Sequence, residues 1–415
     1  MAYIPRLLEG LLKSTVATRP LVYLNGSRQC GKSTLVQNVS IGKKAHYVTF
    51  DNPAILSLAK NDPAGFIQQM PQGRLNIIDE VQLAPELFRY FKIDIDEKRL
   101  GNKNRALYLL TGSANLFALP KLANALVGRM STLTLYPFSI AEIKGTGLNF
   151  LERIWKGDLQ PKKYSRVHLV DIIQGATFPE IALDRRKNRF LWFNDYITTI
   201  LQRDVRTLAD IKNPDTIYQL LVSLSQRVGS LLNNANVMKE TGLDAKTYEK
   251  YKALCSSTFL VFELPSWSKP NKLNKRFVRQ KKLFFTDTSL LCHIMQRNMN
   301  DVYRNDKPTM GHLFENFVAT EIMKAAKSLG AVSHFNPVQN QGKEVDFVIE
   351  RQNGDAIGIE VKLDGTIDER DWANMAVLQK TMGNRLVKGI IIYTGTELMR
   401  VGRNIWAMPV NYLWE

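Results

Sequence analysis

Three stretches of the chain hold residues whose types and spacing could do chemistry. Gly26 to Thr34 reads GSRQCGKST and satisfies G-x-x-x-x-G-K-[ST] through Gly26, Gly31, Lys32 and Ser33. A glycine-rich turn of this kind lets the backbone N–H groups of Gly26, Ser27, Arg28, Gln29, Cys30, Gly31, Lys32, Ser33 and Thr34 converge on phosphate oxygens, and the following helix adds its positive end. Lys32 is spaced to reach the β- and γ-phosphates, and the Ser33 hydroxyl to hold Mg²⁺. The second stretch, Leu75 to Glu80, is an apolar run ending in two acids. Asp79 is expected to bind the same Mg²⁺ opposite Ser33, and Glu80 to orient or deprotonate an attacking water. The third is dispersed: Glu315, Asp346, Glu360 and Lys362. Glu360 and Lys362 are two apart, so on a strand they share a face, and Asp346 and Glu360 could converge on one Mg²⁺ with Lys362 beside a water.

Two further positions belong with the first pair. Ala106 to Leu110 is an apolar run ending in Thr111-Gly112-Ser113. Ser113 or Thr111 is placed to contact a γ-phosphate or the water; a plain turn is the alternative. Arg129 follows Gly128 and reads either as an arginine finger, for this subunit or a neighbour, or as a surface arginine.

The elements that must position these residues follow from the pattern. Leu21-Val22-Tyr23-Leu24 suits a buried parallel strand, and Ser33 to Val39 can start a helix, so strand, loop and helix stand in the order the phosphate motif needs. His46 to Phe50 and Ser131 to Leu135 add strands, and Leu116 to Leu126 reads as a helix. Ile140 to Asp210 is mostly helical, with a break at Gly175 to Glu180. Asn234 to Thr241 and Asp244 to Leu254 resemble a helix-turn-helix, and Thr258 to Leu264 pairs with Leu283 to Asp287 to complete a winged helix. Between those strands Lys269, Lys272, Lys275, Arg276, Arg279, Lys281 and Lys282 form a basic run suited to phosphate contacts with DNA; a solvated hairpin is the alternative. Gly311 to Leu329 is a helix, and strands follow at Val332 to Asn336, Glu344 to Glu350, Ala356 to Leu363 and Gly389 to Tyr393, with a helix at Trp372 to Thr381.

GSRQCGKST, IIDEVQ, LTGSA, LVGRM and YPFSIAEI together resemble a large prokaryotic group of AAA-type ATPases whose C-terminal part is a domain of unknown function. The resemblance carries nucleotide-site roles onto Lys32, Ser33, Asp79 and Glu80, and matches Gly128, Arg129, Pro137, Phe138 and Ser139 to the family's Gly-Arg and Pro-Phe-Ser elements. It implies ATP as the nucleotide, and a homo-oligomer in which a neighbour supplies an arginine. The stretch through Arg203-Asp204-Val205 continues it. The C-terminal acids and Lys362 resemble the restriction-endonuclease-like PD-(D/E)xK core, although Val345 stands where that motif has proline. That fold serves both as a Mg²⁺ nuclease and as a non-cutting binding module.

The expected fold is therefore α/β in three parts: a P-loop, AAA-type parallel-sheet ATPase domain over 1–145, a helical and winged-helix region over 146–300, and a restriction-endonuclease-like α/β domain over 301–415. The strand ending in Thr111 is expected between those carrying Lys32 and Asp79. The expected cofactors are ATP and Mg²⁺, and DNA is the partner expected beside them. The chain's 415 residues agree with roughly three domains. A net charge of +17 favours polyanions. Cys30, Cys255 and Cys292 lie far apart without metal spacing, which points to a reducing compartment. No apolar run approaches the roughly 18 residues of a membrane span, so the expected location is cytoplasmic.

Overall fold

The computed structural model describes residues 3–40, 45–99, 107–114, 128–184, 186–204, 214–268, 280–336 and 344–415. The expected helix at Leu116 to Leu126 and the basic residues Lys269, Lys272, Lys275, Arg276 and Arg279 lie outside them, as do the side chains of Arg203 and Asp204.

The N-terminal part is built on five parallel strands: β1 (Leu21–Gly26), β2 (His46–Thr49), β3 (Asn76–Asp79), β4 (Tyr108–Gly112) and β5 (Met130–Leu135). Their order is β2-β3-β4-β1-β5, which puts β4 between β3 and β1 as expected. Every residue of β1 is buried. The strand alternation then divides its side chains between two cores. Leu21 and Tyr23 join Phe50, Ile78, Phe88, Phe91 and Leu110 on one face, while Val22 and Leu24 join Leu12, Leu35, Ile77 and Leu109 on the other. A sheet covered on both faces exposes only its strand ends, and the chemistry-bearing residues collect at the carboxyl ends.

Beside a smaller core around Trp267, Phe335, Val348, Met375 and Leu378, the remaining chain packs around a large core that runs from Ala141 to Trp414. A seven-stranded sheet lies within it, ordered β6-β13-β14-β12-β11-β10-β9. These strands are β6 (Lys162–Lys163), β9 (Ala331–Phe335), β10 (Val345–Glu350), β11 (Ala356–Lys362), β12 (Leu386–Tyr393), β13 (Glu397–Gly402) and β14 (Ile405–Pro409). β6 comes from the middle of the chain and pairs antiparallel with β13. The Tyr412 hydroxyl donates to Asp158 O and Asn411 Nδ2 to Ser165 O. Residues 146–300 and the C-terminal part thus share both a core and a sheet.

Helices Pro214–Ser225, Asn234–Thr241 and Ala245–Ser257 precede the antiparallel pair β7 (Val261–Leu264) and β8 (Lys282–Phe285). Asn233 and Asp244 cap the second and third of these helices, and Gly242 adopts the left-handed conformation (φ 66°) that ends the second. The two described residues of the basic run do not reach out for phosphate. Lys281 Nζ pairs with Glu263 at 2.7 Å, and Lys282 is buried among carboxylates. After β7 the chain docks on the C-terminal sheet. Trp267, 2% exposed, donates its backbone N–H to His334 O and its indole N–H to Glu350 Oε2 at 3.0 Å.

Candidate functional site

β1 runs directly into the glycine-rich loop. Gly26 has φ 153°, and a Cβ added there would stand 2.1 Å from Leu135 O on β5, so only glycine fits. Gln29 (φ 59°) and Gly31 (φ 98°) also take positive φ, which curls the backbone into a concavity lined by N–H groups. Helix Lys32–Ser40 begins at once, and its first-turn N–H groups have no intrahelical acceptors. Lys32 is 5% exposed, and its Nζ donates to Gly26 O (3.1 Å) and Ser27 O (2.9 Å), which holds the ammonium over the loop. The Ser27 hydroxyl is buried with no hydrogen-bond partner among the described residues.

β3 delivers the acids. The Asp79 carboxylate accepts from the Tyr47 hydroxyl at 2.7 Å, from the Thr111 hydroxyl and from the Glu80 N–H. Glu80 lies in the left-handed region (φ 57°, ψ 40°), a conformation that costs a non-glycine residue about 1 kcal/mol or more. That turn sends its carboxylate towards the loop. Gln82 then joins two expected residues: its amide donates to Glu80 Oε2 and, at 3.0 Å, to Ser113 Oγ. Thr111 and Ser113 therefore act on different acids, the first on Asp79 and the second on Glu80 through Gln82. Burial raises the Glu80 pKa above the usual carboxylate value despite the opposing charge of Lys32.

A cavity of about 600 Å³ opens over the loop. Gly31, Lys32, Ser33, Thr34 and Glu80 form its floor, Tyr3, Ile4 and Phe138 one wall, and Pro179, Glu180 and Leu183 from the middle of the chain another. A Cβ on Gly31 would project towards Arg6 Nη1, 3.4 Å away. Arg6 is a residue the sequence did not announce. It donates to Cys30 O (2.9 Å) and Tyr136 O (2.7 Å), pairs with Glu142 at 3.2 Å and stacks over the Phe138 ring at 4.5 Å. Glu142 also closes a capping box with Ser139 and accepts from Leu7 N. One guanidinium thus ties the phosphate-type loop to the Pro-Phe-Ser stretch.

The donor set suits Mg²⁺ and a triphosphate: converging N–H groups, one ammonium and the Ser33 hydroxyl, all oxygen or nitrogen and none soft; the Asp79 carboxylate, one residue before Glu80, is 3% exposed and does not itself line the cavity. Arg129 is not brought to this cavity in its own chain. It makes a two-pronged contact with Asp96, at 2.6 and 3.0 Å.

Glu315, Asp346, Glu360 and Lys362 do come together, on helix Lys307–Ala325, β10 and β11, around a second cavity of about 630 Å³. The expectation at this cavity is a Mg²⁺ between Asp346 and Glu360. Lys282 Nζ stands among these carboxylates, 2.7 Å from Glu315 and 3.1 Å from Asp346. With Lys282 in place, no group of three or more His, Cys, Asp or Glu side chains among the described residues is disposed to hold a metal ion.

Residues 18–144 match the AAA domain family model. The match supports an AAA-type ATPase for the part of the chain that holds the first cavity. Residues 168–301 and 310–413 match two domains of unknown function (DUF8612 and DUF4143), whose descriptions assign no activity. Uncharacterized proteins of Mycobacterium tuberculosis and Mycobacterium bovis are each 24% identical over 409 residues, covering 97% of this chain and 82% of theirs. Among solved structures, a Walker-type ATPase of Pyrococcus abyssi aligns at 12% identity and a TM-score of 0.42, over 70% of this chain and 96% of its own. CDC6P of Pyrobaculum aerophilum aligns at 10% identity and a TM-score of 0.27, over 71% and 96%. No helix among the described residues is long and apolar enough to cross a membrane.

Proposed function

We propose that this chain binds Mg-ATP in the first cavity and hydrolyses it, and that occupancy of the cavity is felt by the rest of the chain. The observation that carries this reading is Lys32 and Glu80 on the floor of a cavity whose other wall comes from Pro179, Glu180 and Leu183, with Gln82 bonding Glu80 to Ser113. In this reading the loop N–H groups and Lys32 neutralise the phosphates, and Ser33 and Asp79 hold the magnesium ion. The ion supplies charge neutralisation of the leaving phosphates when bound. Glu80 accepts the proton of the attacking water, and its raised pKa brings its basicity closer to the working pH. Gln82 orients Glu80 and links it to Ser113, so loss of the terminal phosphate is transmitted to β4. Tyr3, Ile4, Phe138 and Leu183 supply the apolar surface a purine base needs.

The wall from Pro179 to Leu183 gives the nucleotide a direct path to the large core. Phe178 sits in that core, and Thr177 is bonded through its N–H and hydroxyl to Asp287, just after β8. We therefore favour an ATP-driven switch whose C-terminal part binds rather than cuts. Contact with DNA is supported by the charge of +17; binding to duplex DNA that weakens steeply with salt would bear it out. The reading as a whole is tested by phosphate release. Wild type should turn over Mg-ATP, and Glu80→Gln should bind it and lose nearly all turnover. Equal rates would remove Glu80 from its role.

A further inference from the structure

Lys282 opens β8, and 3% of its side chain is exposed. Its Nζ contacts three carboxylates from two parts of the fold, the helix Lys307–Ala325 and the segment entering β10: Glu315 Oε1 at 2.7 Å, Asp346 Oδ1 at 3.1 Å, and Glu344. The backbone is shaped for this approach. Leu231 bridges to Lys282, Gly229 N donates to Leu283 O, and Gly229 (φ 72°) leaves room where a Cβ would stand 2.7 Å from Glu315 Oε2. Burial works against the charge of Lys282, but the carboxylates of Glu315, Asp346 and Glu344 overcome it and hold the ammonium protonated. Glu360 completes the ring of oxygens. It is 3% exposed, its Oε1 has no hydrogen-bond partner among the described residues, and it faces the same cavity. Asp346 is fixed from behind by the Val361 N–H at 3.0 Å.

These distances suit an ammonium. Mg²⁺ draws its oxygens to about 2.0–2.1 Å and Ca²⁺ to about 2.3–2.6 Å, whereas the oxygens here surround a nitrogen at 2.7 and 3.1 Å. A divalent ion at the centre of the cluster would meet a fixed positive charge already there. We infer that the Lys282 ammonium is the resident cation of the C-terminal carboxylate cluster, standing where a divalent metal would have to sit. It fastens the β7–β8 pair to helix Lys307–Ala325 and to β10. The native cluster accordingly takes no Mg²⁺ or Mn²⁺. Removing the ammonium leaves Glu315, Glu344, Asp346 and Glu360 facing one cavity, an all-oxygen set of the kind hard divalent ions prefer.

Equilibrium dialysis with Mn²⁺ alone, without nucleotide, tests this on the full chain. Wild type and Asp346→Asn should bind the same amount of Mn²⁺, because nothing is lost when a carboxylate of an ammonium-filled cluster is neutralised. Lys282→Met should gain one Mn²⁺ per chain, bound at least ~10-fold tighter than in wild type, since a unit positive charge is gone from the centre. The gain should vanish in Lys282→Met combined with Asp346→Asn. A Mn²⁺ lost from wild type on Asp346→Asn would overturn the inference, as would a folded Lys282→Met protein with no added ion. Should Lys282→Met fail to fold, the comparison of wild type with Asp346→Asn decides. Lys282 does not line the first cavity, so ATP turnover should be unchanged in the folded variant.

Discussion

Replacing Arg6 with methionine removes the guanidinium that joins the loop to the Pro-Phe-Ser stretch while keeping the length of the side chain. Arg6 and Glu142 are each 4% exposed, and their ion pair spans 3.2 Å. Deleting one partner of a buried pair costs about 3–5 kcal/mol, most of it from the charge left behind. Glu142 would keep two backbone donors, Leu7 N (2.6 Å) and Ser139 N (2.8 Å), which argues for the lower end, near ~3 kcal/mol. Cys30 O and Tyr136 O also lose their donor, which adds to the cost. Urea unfolding followed by circular dichroism measures the loss, and calorimetry measures ATP affinity in the same variants. Glu142→Gln keeps hydrogen-bonding capacity and removes the charge, so the double variant should be less destabilised than the sum of the two singles. The same coupling should appear in ATP affinity, because Cys30 is part of the loop. An Arg6→Met protein within about 1 kcal/mol of wild type, with additive behaviour towards Glu142→Gln, would refute the reasoning, since exposed pairs rarely exceed that value.

Other changes read other parts of the site. Gly112→Ala would place a methyl 2.5 Å from the Tyr23 hydroxyl and 2.7 Å from Gln82 Oε1; overpacking should cost about 1–3 kcal/mol in thermal or urea unfolding, and turnover should fall as Gln82 is pushed from Glu80. Tyr47→Phe removes the 2.7 Å bond to Asp79; the Mg²⁺ dependence of turnover should shift to higher concentration by about tenfold or more, the worth of one charge-assisted hydrogen bond. Because burial raises the Glu80 pKa in the folded protein, its contribution to stability is present below the unfolded carboxylate pKa and is lost as pH rises through the folded value. Glu80→Gln should therefore have the higher melting temperature near neutral pH, with the gap closing in acid, and the acidic limb of wild-type turnover should lie above the ordinary carboxylate range.

Legibility in the sequence followed locality. The phosphate-type loop and the Asp79-Glu80 pair are contiguous, and their geometry is imposed by neighbours a few residues away, so residue type and spacing were enough. The order of β1, β3 and β4 followed from the same motifs. Arg6 was not legible, because its partners Cys30, Tyr136 and Glu142 lie 24 to 136 residues along the chain and nothing near it marks an isolated arginine. Gln82 was in view within IIDEVQ, two residues after Glu80, yet its bond to Ser113 spans 31 residues. Lys282 misled most. It closes a basic run and reads as a solvated wing residue, but β8 carries it under the sheet to acids 33 to 64 residues away. β13 and β14 drew no expectation: Glu397, Arg400 and Gly402 interrupt the apolar pattern of β13, and β14 is a five-residue apolar run ending in Pro409.

The most direct measurement is a calorimetric titration of Mg-ATP into the full chain, beside Lys32→Ala. The site described above should give a saturable heat with one nucleotide per chain in wild type, and a large loss of affinity when the Lys32 ammonium is removed. A folded wild-type protein that releases no heat and takes up no ATP, or a Lys32→Ala protein that binds as tightly as wild type, would contradict it.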